Sequence, residues 1–147
     1  MRKTLIAILA LAVVFVVGPV GSRVAWSQYT GVAGAVGAKS TVIVQTSKTS
    51  IGQDIRYPRM KPEVAALLVE IAPGGQTGRH QHPVTEFAYI LEGTLTVDIE
   101  GQKVFTAGQG LIEATNTWHN GMNKGTTPVK ILSVFVGEQG TPNVVRL

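Results

Sequence analysis

Gly74-Gly75-Gln76-Thr77-Gly78-Arg79-His80-Gln81-His82-Pro83-Val84-Thr85-Glu86-Phe87-Ala88-Tyr89-Ile90-Leu91-Glu92-Gly93 is the stretch on which the reading of this chain turns. It holds two of the three histidines of the 147-residue sequence, and the third is His119. Alternate residues of a strand project from one face about 6 to 7 Å apart, so His80 and His82 can converge on a single ion. Pro83, Val84 and Thr85 then bend the chain enough for Glu86 to add a carboxylate, with His119 arriving from another strand. The result is a site of three imidazoles and one carboxylate. That donor set suits first-row divalent ions, and four protein ligands around an octahedral ion leave about two positions open for water, substrate or dioxygen.

The flanking residues carry a resemblance. Gly74, five residues, His80-x-His82, three residues, Glu86, six residues and Gly93 form one pattern. Gly108, five residues, Ala114, one residue, Asn116, two residues, His119, three residues and Asn123 form a second. Together they resemble the two motifs of the cupin superfamily. The second motif usually has proline and glycine where Ala114 and Asn116 stand, a departure that bears on the shape of the turn and leaves the ligand at His119 in place. Asparagine tolerates the left-handed backbone that glycine takes there. A lone histidine on a strand is more often an ordinary core or surface residue; it is the joint register of donors and turn residues that makes this a motif.

Outward from the motifs, short runs of strand pattern recur. Between Glu63 and Pro73 both alternating sets are apolar, which predicts a strand buried on both sides. Leu95, Val97 and Ile99 alternate with Thr96, Asp98 and Glu100, which predicts a half-exposed strand closed by a turn at Gly101. Ser40 to Thr46, Phe87 to Leu91, Lys103 to Ala107, Leu111 to Ala114 and Val129 to Val136 supply further strands, and helix signals are nearly absent. Many short strands between glycine, proline and asparagine turns predict an all-β sandwich or small barrel. The resemblance sharpens this to a double-stranded β-helix, the jelly-roll cupin barrel, with the ion inside its mouth.

If Glu86 points into that barrel, alternation sends Ala88 and Ile90 inward as pocket residues and Phe87, Tyr89 and Leu91 to an apolar outer face. Such a face predicts packing under a loop or against a second subunit, hence a homodimer. Trp118 either walls the pocket or joins the core. Glu113 either offers a carboxylate for proton transfer near the metal or is a solvated strand residue. Tyr57 and Arg59 either form a lid or an exposed turn.

The N-terminus reads differently. Arg2 and Lys3 precede an apolar run to Val17, and Ala25-Trp26-Ser27 permits cleavage before Gln28, so residues 1–27 read as an export signal. About thirteen apolar residues fall short of the ~20 a bilayer core requires, leaving a membrane anchor as the alternative to a periplasmic or secreted protein. Residues 28–39, rich in glycine, alanine and valine, predict a flexible tether, and residues 40–147 one cupin domain.

Of the 13 basic residues, Arg2, Lys3 and Arg23 lie in the leader, leaving ten against nine acids. The formal charge of +4 is therefore no sign of nucleic-acid binding, and no basic cluster follows Gln28. With no cysteine, the chain has neither disulfides nor thiolate ligands.

The resemblance implies one divalent transition-metal ion (Fe, Mn, Ni, Cu or Zn) and a small oxygen-bearing organic substrate, acted on by a dioxygenase-like oxidoreductase or a lyase or decarboxylase. Export through the general route would mean metal capture outside the cytoplasm, where the intrinsic affinity order favours copper and zinc. The alternative is a non-catalytic module that binds a small ligand or the metal alone.

Overall fold

The computed structural model describes residues 36–147, so the expected export signal at 1–27 and most of the tether at 28–39 lie outside the described residues. Nine strands follow in chain order: β1 (Pro62–Ile71), β2 (His80–Gln81), β3 (Thr85–Glu92), β4 (Thr94–Asp98), β5 (Gln102–Thr106), β6 (Gly110–Ile112), β7 (Asn120–Met122), β8 (Val129–Glu138) and β9 (Val145–Arg146). Among the described residues there is no helix. All strand pairing is antiparallel: a four-stranded sheet ordered β1-β8-β3-β6, a three-stranded sheet β5-β4-β7, and the pair β2-β9. This is the all-β jelly-roll arrangement, a double-stranded β-helix.

The two larger sheets meet over a core of Ile71, Ala88, Ile90, Leu95, Val97, Ile99, Leu111, Ala114, Val129 and Ile131. Period-two alternation explains which residues enter it. On β3 the inward row is Glu86, Ala88, Ile90, and on β8 it is Phe135, Ser133, Ile131, paired in that order across the sheet. Each row is apolar at one end and polar at the other, so the same two strands build the core and deliver a wall to the site. Ile90 is wholly buried, and its truncation to alanine would cost about 2–5 kcal/mol.

The motif glycines and asparagines hold this geometry. Gly93 has φ of +79°, and a Cβ there would lie 2.5 Å from the Pro128 carbonyl oxygen, so only glycine fits. Asn116 has φ of +52°, the left-handed backbone anticipated where glycine is usual. Asn123 is buried; its amide nitrogen donates to the carbonyls of Ile71 and Thr127, and its carbonyl accepts from Gly125 N–H.

Three expectations are corrected. Among the described residues β1 pairs only with β8 and its outer face is uncovered: Val64 is 65% and Leu68 63% exposed on a strand expected to be buried on both sides. Apolar alternation marks two faces but does not supply something to cover them. Residues 40–46 form no strand, and the first pairing is the bridge of Lys48 with Asp54. Thr96 is buried, because β4 is central in its sheet and its second face is covered as well.

Candidate metal centre

His80 and His119 face one another across two backbone hydrogen bonds, each N–H donating to the other's carbonyl at 2.9 Å. A directly opposed pair of this kind projects both side chains to one side of the ladder. His82 follows two residues after His80, and its carbonyl accepts from Asn116 N–H at 2.8 Å. The three rings pack with centroids 4.3 to 5.0 Å apart.

Each imidazole has its Nδ1 tied to a backbone carbonyl. His80 reaches Gly78 at 2.7 Å, His82 reaches Asn143 at 2.8 Å and His119 reaches Thr117 at 2.9 Å. A carbonyl only accepts, so Nδ1 carries the proton in all three rings and Nε2 is the atom left to bind a metal.

Two carboxylates complete the cluster. Glu86 Oε2 lies 2.9 Å from His82 Nε2, and Glu113 Oε2 lies 2.8 Å from His119 Nε2 and 3.6 Å from His82 Nε2. Glu113 N–H donates to the Glu86 carbonyl, which sets the two acids side by side where β3 and β6 run on toward the mouth. The ligand atoms of His80, His82 and His119 all fall within 4.8 Å of one another, as do those of His82, Glu86 and Glu113.

The contacts between acids and rings are close, yet Glu86 Oε2 and His119 Nε2 are buried without a hydrogen-bond partner. Groups that approach this nearly without bonding to each other are aimed at a common point between them. Two donors about 2.1 Å from one ion and at right angles lie about 3.0 Å apart, the spacing seen here. The residues fit a divalent ion.

Without a cation, charge is balanced by protons. Burial opposes a charged His82, but Glu113 and Glu86 outweigh it and hold the ring at about 10. His119 is likewise raised by Glu113 against its burial. Desolvation dominates at His80, which is pushed down to about 4. Burial raises the Glu113 carboxyl, but His119 and His82 more than reverse that and keep it below the usual carboxylate range.

The cluster opens into a cavity of about 150 Å³. Leu67, Val69, Ile131 and Phe135 give it an apolar wall, Thr77 and Ser133 add hydroxyls, and Val144 and Arg146 of the C-terminal segment close the rim. Ala88 and Ile90, anticipated as pocket residues, do point inward but belong to the core below the cavity. Trp118 is half-buried and does not line it. Tyr57 is exposed and Arg59 sits in the adjoining bend, neither over the mouth, so the lid expectation is also corrected. Glu113 is no solvated strand residue; it lies in the cluster itself. Arg146 and Asn143 escaped the sequence reading, since nothing in a five-residue tail reveals that it returns to the mouth.

Fold and site together define a small jelly-roll barrel with a histidine-rich, metal-binding mouth. Residues 67–135 match the family model described as "Cupin domain". It is 34% identical over 86 residues to germin-like protein 1-1 of Oryza sativa subsp. japonica, an alignment covering 53% of this chain and 40% of the relative. It is 29% identical over 66 residues to the tetracenomycin polyketide synthase protein TcmJ of Streptomyces glaucescens, covering 44% of each. Among solved structures, the oxalate decarboxylase of Lactobacillus farciminis in its formate complex superposes with a TM-score of 0.51 at 27% identity, over 57% of this chain and 26% of that one. An oxalate oxidase in complex with glycolate gives a TM-score of 0.50 at 28% identity, over 57% of this chain and 46% of that one. The chain thus spans less than half the length of these relatives.

Proposed function

We propose that this cupin holds one divalent transition-metal ion through His80, His82, His119 and Glu86 and is an enzyme acting on a small organic acid. The observation that carries the reading is the convergence of these donors on the floor of a cavity of about 150 Å³. At ~30 Å³ per water, that is room for roughly five waters, and therefore for a substrate of few non-hydrogen atoms.

Bound there, the ion would supply Lewis-acid polarisation of a substrate oxygen or, if redox-active, activation of dioxygen. The protein's own part is positioning and exclusion. Arg146 is the one lysine or arginine lining the cavity among the described residues, and its guanidinium matches a carboxylate through paired N–H donors. Buried Ile131 and Phe135, with half-buried Val69, make the inner wall apolar, which strengthens every charge contact within. The solved relatives named as an oxalate decarboxylase and an oxalate oxidase, with formate and glycolate as their bound molecules, favour decarboxylation or oxidation of such an acid.

The same reading has the chain exported on residues 1–27 and working as a homodimer. Support for the dimer comes from the outer sheet face, where Val64 and Leu68 stand exposed beside half-buried Leu132 and Tyr89.

The test is a panel of mono- and dicarboxylates of one to four carbons, added to protein loaded in turn with each candidate metal, with dioxygen uptake and carbon dioxide release recorded. Turnover that needs the metal and is weakened by Arg146→Gln supports the enzyme. Saturable binding of an acid without turnover would make the protein a binding module instead.

A further inference from the structure

We propose that Glu113 is a fifth protein donor to the metal, so that the centre has three imidazoles and two carboxylates. The inference rests on the four-ligand reading above and adds to it a residue outside both histidine motifs.

Register supplies the first argument. Phe87 pairs with Ile112, and Glu113 N–H donates to the Glu86 carbonyl, so the two glutamates are cross-strand neighbours with side chains on one face. If Glu86 reaches the ion, Glu113 begins from the same distance. Geometry supplies the second. Glu113 Oε2 stands 2.8 Å from His119 Nε2 and 3.6 Å from His82 Nε2. Donors about 2.1 Å from a common ion are separated by about 3.0 Å at right angles and about 3.6 Å when the angle opens to about 120°. Both separations lie in that range.

The third argument is what the neighbouring atoms lack. His119 Nε2 is buried and has no hydrogen-bond partner even with Glu113 Oε2 beside it, and Glu86 Oε2 is in the same position next to His82. A carboxylate placed to orient His119 would accept its N–H along the bond axis. Glu113 instead shares the point at which that nitrogen is aimed.

Two consequences follow. A pair of carboxylates neutralises a divalent ion, which favours the divalent over the monovalent state in a cavity with an apolar wall. Five protein donors leave one of six octahedral positions, so an acid binds the ion through one oxygen unless Glu113 yields its place.

The test uses Mn²⁺, an ion at home in octahedral sites rich in oxygen donors. In crystals of the wild-type protein soaked in Mn²⁺, a Glu113 oxygen is expected within about 2.3 Å of the ion, close to the ~2.0–2.2 Å of first-row carboxylate bonds. Calorimetric titration of metal-free protein should give Glu113→Ala an affinity at least about tenfold weaker than wild type, the scale on which even supporting residues act. A Glu113 oxygen beyond about 3 Å from a bound ion, with Glu113→Ala binding as wild type, overturns the proposal while a loss of binding in His82→Ala leaves the four-ligand site standing. Unchanged binding in His82→Ala would instead overturn the four-ligand reading. Should Glu113→Ala fail to fold, the wild-type crystal distance decides alone.

Discussion

His82 Nδ1 lies 2.8 Å from the carbonyl oxygen of Asn143, a hydrogen bond across 61 positions of sequence that turns the other ring nitrogen toward the centre. The same C-terminal segment pairs Arg146 with His80 and Val145 with Gln81 as β9. The last five residues of the chain therefore orient the His82 ring and pair with the short strand that carries His80. Oriented in this way, a ring meets the ion without first losing rotational freedom.

Deleting Asn143–Leu147 is expected to weaken Co²⁺ binding about 10- to 100-fold while the far-ultraviolet β spectrum persists. Calorimetric titration of the truncated and full chains measures this directly. Equal affinities would mean that the tail orients nothing.

His82→Ala should abolish stoichiometric metal and leave the β fold in place, since His82 lies at the mouth and not in the hydrophobic core. Elemental analysis of purified protein, paired with circular dichroism, gives the answer. A full complement of metal in the variant would remove His82 from the ligand set.

Metal loading should release protons, and affinity should fall as pH is lowered. His82 stands at about 10 in the metal-free protein, so it carries a displaceable proton near pH 7, whereas His80, at about 4, does not; Glu113 raises His119 in the same direction as His82. The linkage to stability has the matching sign. Its raised pKa lets His82 contribute stability to the metal-free protein that is fully present below about 6.5 and is lost as pH rises through about 10. Titrations at pH 7 in buffers of different ionisation enthalpy should report at least about one proton released per ion. Buffer-independent heats would contradict this.

Asn123→Ala should cost about 2–4 kcal/mol, because it leaves the buried Ile71 carbonyl, the Thr127 carbonyl and Gly125 N–H without their side-chain partner. The midpoint of urea unfolding reads this out. A change below about 0.5 kcal/mol would mean that water replaces the side chain at no cost.

The homodimer proposed above should be lost in Leu68→Lys without unfolding of the chain, since the residue is 63% exposed on the outer face of β1. Light scattering during size-exclusion chromatography distinguishes the two masses. A variant that stays dimeric would move the interface elsewhere.

Much of this architecture was legible in one dimension. Spacing, read with the resemblance to the two cupin motifs, led to the expectation that His80, His82, Glu86 and His119 gather, and all four line one cavity. Alternation along β3 sent Glu86, Ala88 and Ile90 inward, because successive side chains of a strand must take opposite faces. The left-handed turn at Asn116 was legible too, since few residues tolerate that backbone. Tertiary structure decided the rest. Glu113 joined the cluster through the pairing of β3 with β6, Asn143 and Arg146 through the return of β9 to β2, and among the described residues β1 pairs with β8 alone. Period two tells which side of a strand a residue occupies; which residue stands opposite depends on register, and register is fixed by bonds between segments that the sequence holds far apart.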